Sequence, residues 1–280
     1  MTSLAPSLPP ITRHNPSFSP RRVGAMVLRH WYVLRGSWPR IVELAYWPTV
    51  QMVLWGFMTQ FLVSQTSYVA QAFGVLLSGV LLWDVLFRGQ LGVSISFFEE
   101  IWARNLGHLF VSPLRPYEMV GSLGGMSLIR TVIGVVPAAI MATIFFGFSL
   151  ASLGISLVAF FFLLLVMGWA LGLLICGIVM RYGQGAESLA WAAIFAVAPV
   201  SGIYYPISVL PGWLQVVAHF LPSSYVFEGM RGVLARHEVR VDLMAHAAVL
   251  DVVYLAVGIA AFLAYFRMAR RRGLLLQQGE

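Results

Sequence analysis

Four ionisable side chains interrupt long apolar runs in this 280-residue chain: Asp84, Arg88, Arg130 and Asp251. In lipid such groups are expensive, and an arginine at the centre of a spanning helix costs about 2.5 to 3.5 kcal/mol on insertion scales. Each therefore needs a counter-charge, a wet cavity or a ligand headgroup. Arg130 falls roughly 17 Å into its run at helical rise, with Asp84 and Asp251 on other runs as candidate partners. Asp84 can equally pair with Arg88 at i,i+4 on its own helix. Three readings of Arg130 stand together: a structural ion pair, a contact to anionic cargo, and a side chain snorkelling to the interface.

A second group of polar residues lies between two apolar runs, in Ser96-Phe-Phe-Glu-Glu-Ile-Trp-Ala-Arg-Asn-Leu-Gly-His-Leu-Phe-Val-Ser-Pro113. Written as one helix, this segment puts Phe98, Trp102, Leu106 and Leu109 on one side. Glu100 and Arg104 fall on another, in the favourable acid-then-base order, and Pro113 stops the helix. An amphipathic helix in that place can receive force from a soluble partner. Enzyme chemistry has no comparable constellation, for the chain has no H-E-x-x-H, no nucleophile elbow and no EF-hand loop. Its six histidines are dispersed, and one cysteine, Cys176, allows neither an intrachain disulfide nor a cysteine-based metal site.

Composition sets the solvent in which these groups must be positioned. The chain is 59% hydrophobic and 10% charged, where an ordinary soluble domain has about 25% charged residues. Lipid is the solvent that this balance fits, and six spans of about 20 residues leave room for loops but not for a second large domain. All 18 basic residues are arginine. A P-loop needs its lysine on the nucleotide phosphates, so ATP chemistry is expected from a partner, which would bind the ATP and Mg. The net charge of +7 does not read as nucleic-acid binding, because the arginines sit between apolar runs and not on one folded face.

Spacing predicts an all-α integral membrane fold. Residues 1–20 hold five prolines among serines and read as a disordered cytoplasmic tail rather than a signal peptide. From Arg21 the pattern Val23, Met26, Val27, His30, Trp31, Leu34 has helical period. It predicts an amphipathic helix within 21–42, lying in the interface plane with Arg22 and Arg29 toward headgroups, or else solvent-exposed and packed on its own protein. The transmembrane domain is expected over 43–268, with spans at 45–63, 69–98, 119–146, 155–180, 188–205 and 245–266, and a basic cytoplasmic tail at 269–280. Fourteen of the 18 arginines fall on the side of both termini, which the positive-inside rule places in the cytoplasm. Gly121 and Gly125 form a G-x-x-x-G spacing suited to close helix packing.

Between the last two spans, Pro211 opens one short apolar stretch and Pro222 closes it, with Ser223 or Ser224 able to cap a second. Neither stretch can span. Two short re-entrant or interfacial helices on the external side are expected there, acting as a gate or lying on the surface.

Three stretches resemble the ABC-2 type permease family, the membrane subunits of ATP-binding-cassette exporters. They are Leu109-Phe-Val-Ser-Pro-Leu114 with Glu118 and Gly121 after it, Tyr204-Tyr-Pro-Ile-Ser-Val-Leu-Pro211, and Leu221-Pro-Ser-Ser-Tyr-Val-Phe-Glu-Gly-Met-Arg231. In the last, Leu221-Pro222 stands where the family commonly has Asn-Pro. The resemblance implies a half-transporter that dimerises, binds two nucleotide-binding subunits and works in the plasma membrane, as in a bacterial inner membrane. It matches residues 99–110 to the coupling helix, giving Glu99, Glu100, Trp102, Arg104, Asn105 and His108 as the contact to the ATPase. Tyr204, Tyr205, Pro206, Pro211, Pro222, Glu228 and Arg231 become the external gate segment. Cargo is expected to be amphipathic, a lipid-linked glycan or polysaccharide, or drug-like. The rival readings are an ion-coupled secondary transporter, which predicts a broken helix or an internal repeat, and an intramembrane enzyme acting on lipids.

Overall fold

A computed structural model describes residues 18–65 and 73–272. Nearly all of the expected N-terminal tail, the turn after Gln65 and the chain beyond Arg272 lie outside the described residues. Among these residues ten α-helices follow in order: α1 Pro20–Arg35, α2 Trp38–Gln65, α3 Phe73–Trp102, α4 Leu106–Val111, α5 Pro116–Phe146, α6 Ser156–Tyr182, α7 Leu189–Val197, α8 Gly212–His219, α9 Pro222–Arg236 and α10 Val241–Arg272. Among the described residues there are no strands. Four helices among the described residues, α3, α5, α6 and α10, are long and apolar enough to cross a membrane. α2 has the length, at 28 residues, but Thr49, Gln51, Thr59, Gln60 and Gln65 make it less apolar than these four.

The hub is α3, which packs on α5, α6 and α2, while α6 in turn carries α10. Glycines let these backbones meet. A Cβ at Gly168 or Gly172 of α6 would lie 2.8 Å from backbone atoms of α3, and one at Gly258 of α10 would lie 2.7 Å from the Ala170 carbonyl. Lipid offers no hydrophobic drive between helices, so this close packing holds them. Polar contacts add to it where three helices meet. Ser127 of α5 donates to the Gly89 carbonyl at 2.8 Å and accepts from Trp169 Nε1 at 3.1 Å. Two apolar clusters flank this point, one containing Phe97, Cys176 and Phe262, the other Phe160, Phe227 and Met230.

α1 docks on its own protein. Its stripe buries Met26, His30 and Leu34, and Val23 and Val27 lie over Gly121 and Gly125, where a Cβ would approach them to 3.7 and 3.1 Å. The G-x-x-x-G spacing therefore receives α1. The arginines expected at headgroups turn inward instead: Arg22 holds Glu118 at 2.5 and 2.8 Å, and Arg29 pairs with Glu100. Glu118 also accepts the backbone N–H groups of Ser19 and Arg115, which fastens the start of α1 to that of α5. The helix expected across 21–42 is interrupted at Gly36 and Ser37, and α2 begins there.

The fifth expected span is shorter than its apolar run. α7 stops at Val197 and the chain turns through 198–206, because Pro199 has no N–H to continue the helix and its ring crowds the carbonyl four residues back, although Ala198 itself keeps helical dihedrals. Nine residues of helix cover only about 14 Å.

Candidate functional site

Along α3, residues 84, 87, 88, 91, 92, 95, 99 and 102 recur every three or four positions and so share one face. This stripe floors a cavity of about 650 Å³ that it shares with α2, α5 and α7. Arg40, Glu43, Trp47 and Gln51 of α2 form one wall, Trp191 and Phe195 of α7 another, and Arg130 reaches in from α5. From residue 84 to residue 102 the floor runs about 27 Å at helical rise. Phe87 meets both Trp191 and Phe195 edge to face, at ring-centroid distances of 5.8 and 6.1 Å.

Charges occupy this cavity at two levels. Deeper in the bundle, Arg88 Nε donates to Asp84 Oδ2 at 2.7 Å, the i,i+4 alternative for that pair. Arg88 fits because its side chain crosses α5 at Gly134, where a Cβ would sit 2.4 Å from Nε. Nearer the end of α3, Arg130 Nη2 donates to both Glu99 oxygens at 3.0 and 2.8 Å, and Arg40 joins them at 3.1 Å. Arg130 thus pairs with neither Asp84 nor Asp251. Its partner is Glu99, placed in the same cavity because α3 continues four residues past Phe98, where the second span was expected to end. Asp251 lies on α10, outside the cavity lining, buried and with neither carboxylate oxygen hydrogen-bonded among the described residues.

The segment expected to form one amphipathic helix is divided. α3 ends at Trp102, Arg104 takes a left-handed conformation (φ 52°), and α4 starts after Asn105. Glu100 and Arg104 therefore form no i,i+4 pair. Glu100 is buried, bound by Arg29, by Asn105 Nδ2 at 2.8 Å and faced by His30 Nδ1 at 3.7 Å. Trp102, Arg104 and His108 stay exposed, and Trp102 Nε1 donates to Glu187 at 2.9 Å.

Outside the cavity lining, the turn after α7 is held by α9. Arg231 donates to the carbonyls of Gly202 and Tyr205, and Glu228 accepts the Ile207 N–H at 3.1 Å. Ser223 bonds Ser201 and Ser224 bonds the Val200 carbonyl. The two serines expected as caps thus serve the turn, while Pro222 occupies the first position of α9 behind Leu221. Tyr204 stacks on Trp55 of α2 with centroids 4.7 Å apart, one turn beyond Gln51. Tyr205 donates to the Pro199 carbonyl, whereas Pro206 and Pro211 are exposed where the chain approaches α8. α8 turns Trp213, Val216 and Val217 outward, and Phe220 just after it is exposed as well.

A bundle of long apolar helices encloses a largely apolar cavity that carries two sets of ion pairs, and comparison with known proteins shows which family it belongs to. The family model for the ABC-2 type transporter matches residues 23–235. The chain belongs to the ABC-2 type transporter family. This family comprises membrane transport subunits that normally pair with an ABC ATP-binding subunit, and the chain is a multi-pass membrane protein of that kind. It is 23% identical over 221 residues to the inner membrane transport permease YadH of Escherichia coli (strain K12), covering 74% of this chain and 84% of the relative. The same identity and coverage hold for YadH of Shigella flexneri. A shorter similarity, 32% over 108 residues, links it to the linearmycin resistance permease protein LnrN of Bacillus subtilis (strain 168), covering 38% of this chain and 26% of that relative.

Proposed function

We propose that this chain is the permease of an ABC exporter, forming the path of an amphipathic cargo and driven by separate ATP-binding subunits. The observation that carries the reading is the cavity along α3: in a member of this family, ion pairs held at membrane depth beside an aromatic wall offer a polar route with apolar sides. α2 and α7 complete six spans in this reading, α7 together with its turn. Both termini face the cytoplasm, two copies assemble, and ATP and Mg are bound by the partner. An amphipathic, lipid-linked or drug-like cargo suits walls of this mixed character, and the names of the transport and resistance permeases above are compatible with it.

The coupling contact is redrawn by burial. Since Glu99 and Glu100 are committed to arginines of this chain, we assign docking of the ATPase to the exposed Trp102, Arg104 and His108, with Asn105 holding the turn. Ion-coupled transport draws on one observation, the break after α7. The carbonyls freed there are already engaged by Arg231 and Ser224, which leaves fewer ligands for an ion. The deciding experiment is reconstitution in proteoliposomes with the co-purified ATP-binding subunit. Export that requires ATP is expected, and movement of cargo by the permease alone without ATP would overturn the reading.

A further inference from the structure

Among the described residues six ionisable side chains line the cavity, three arginines (Arg40, Arg88, Arg130) and three acids (Glu43, Asp84, Glu99). They balance at each level separately. The deep level holds Asp84 and Arg88, and the shallow one holds Arg40 and Arg130 against Glu43 and Glu99. Arg88 gives only Nε to Asp84; no hydrogen bond among the described residues occupies its two terminal nitrogens. Trp47, Phe87 and Trp191 flank this ladder, and aromatic faces attract ammonium groups.

We propose that the cavity receives an amphiphile whose headgroup carries one positive and one negative charge, held between Asp84 and Arg88. The argument is one of exchange. An anionic headgroup drawn to Arg88 displaces Asp84 and leaves that carboxylate uncompensated in a dry surrounding, and a cationic one strands Arg88 in the same way. A zwitterion replaces one ion pair with two, so neither side chain loses its partner. A sugar headgroup exchanges nothing and adds only hydrogen bonds.

This assignment rests on the cavity being the cargo path, and it is tested on the permease alone so that the two can fail separately. Purified protein in uncharged maltoside micelles is titrated with lipids brominated on identical chains, bearing phosphocholine, phosphate, trimethylammonium or monoglucosyl heads. Bromine quenches nearby tryptophan, and in the part of the signal lost in Trp47→Phe/Trp191→Phe, from two tryptophans that are also half exposed outside the cavity, the headgroup-dependent share reports the cavity. The phosphocholine lipid is expected to half-quench at a mole fraction about fivefold or more below the other three, as a difference of affinities. Arg88→Gln should remove that preference, and so should Gly134→Ala, which displaces Arg88 without altering charge. The swap Asp84→Arg/Arg88→Asp should retain it. Equal quenching by all four lipids, tighter binding of a singly charged or sugar head, or a preference that survives Gly134→Ala overturns the assignment. Loss of ATP-driven export with the preference intact would count against the exporter reading alone.

Discussion

Glu99 compensates two arginines at once, and both it and Arg130 are nearly shielded from solvent, with 9% and 5% of their side chains exposed. Removing one member of a buried pair costs about 3 to 5 kcal/mol because the other is left uncompensated. Glu99→Gln should therefore lower the midpoint of thermal aggregation in detergent, and Glu99→Gln/Arg130→Gln should recover part of the loss. His30 gives a pH dependence. Burial pulls its imidazole below the ordinary histidine range, with Arg130 and Arg29 adding to the effect while Glu100 and Glu99 oppose it. A base with a lowered folded-state pKa stabilises docking above its unfolded pKa of about 6.5, and that contribution is lost as pH falls toward the folded value. Proteolysis at the 36–37 joint should accelerate between about pH 7.5 and about pH 5.5, and His30→Leu should flatten the response. The sequence displays the Asp84 and Arg88 pair plainly, yet the Arg130 partner is hidden because Glu99 belongs equally to a loop or to an extended α3 until the end of that helix is known.

Between elements, the governing quantity is how closely two backbones approach. Gly125 is pressed by Val27 of α1, and a large side chain there overpacks at a cost of about 1 to 3 kcal/mol. Gly125→Leu should release α1, seen as faster cleavage before Trp38 with the other helices unchanged in hydrogen exchange. The positions of the four most apolar helices and the division of 206–244 into two short helices were legible from periodicity and proline. Two features were not. Pro199 lies inside an apolar run whose length alone predicts one span, and the proline divides it. The inward turn of Arg22 and Arg29 depends on acids 96 and 71 residues away, a distance at which periodicity carries no information.

For the whole molecule, docking and transport should separate by residue. Arg104→Glu, on an exposed left-handed turn, is expected to abolish stimulation of the partner's ATPase by cargo while leaving the melting profile unchanged. Glu100→Arg should instead destabilise the protein, since it would oppose Arg29. Parallel melting and ATPase measurements on both variants distinguish these outcomes, and full stimulation in Arg104→Glu would move the contact elsewhere. The charge balance of the cavity has a further consequence, for the membrane voltage. A net charge carried across the field takes up or releases about 2.3 kcal/mol per 100 mV. Walls that sum to zero at each level can swing through that field with almost no electrical work, so the rate of the cycle should be the same in energised and depolarised vesicles.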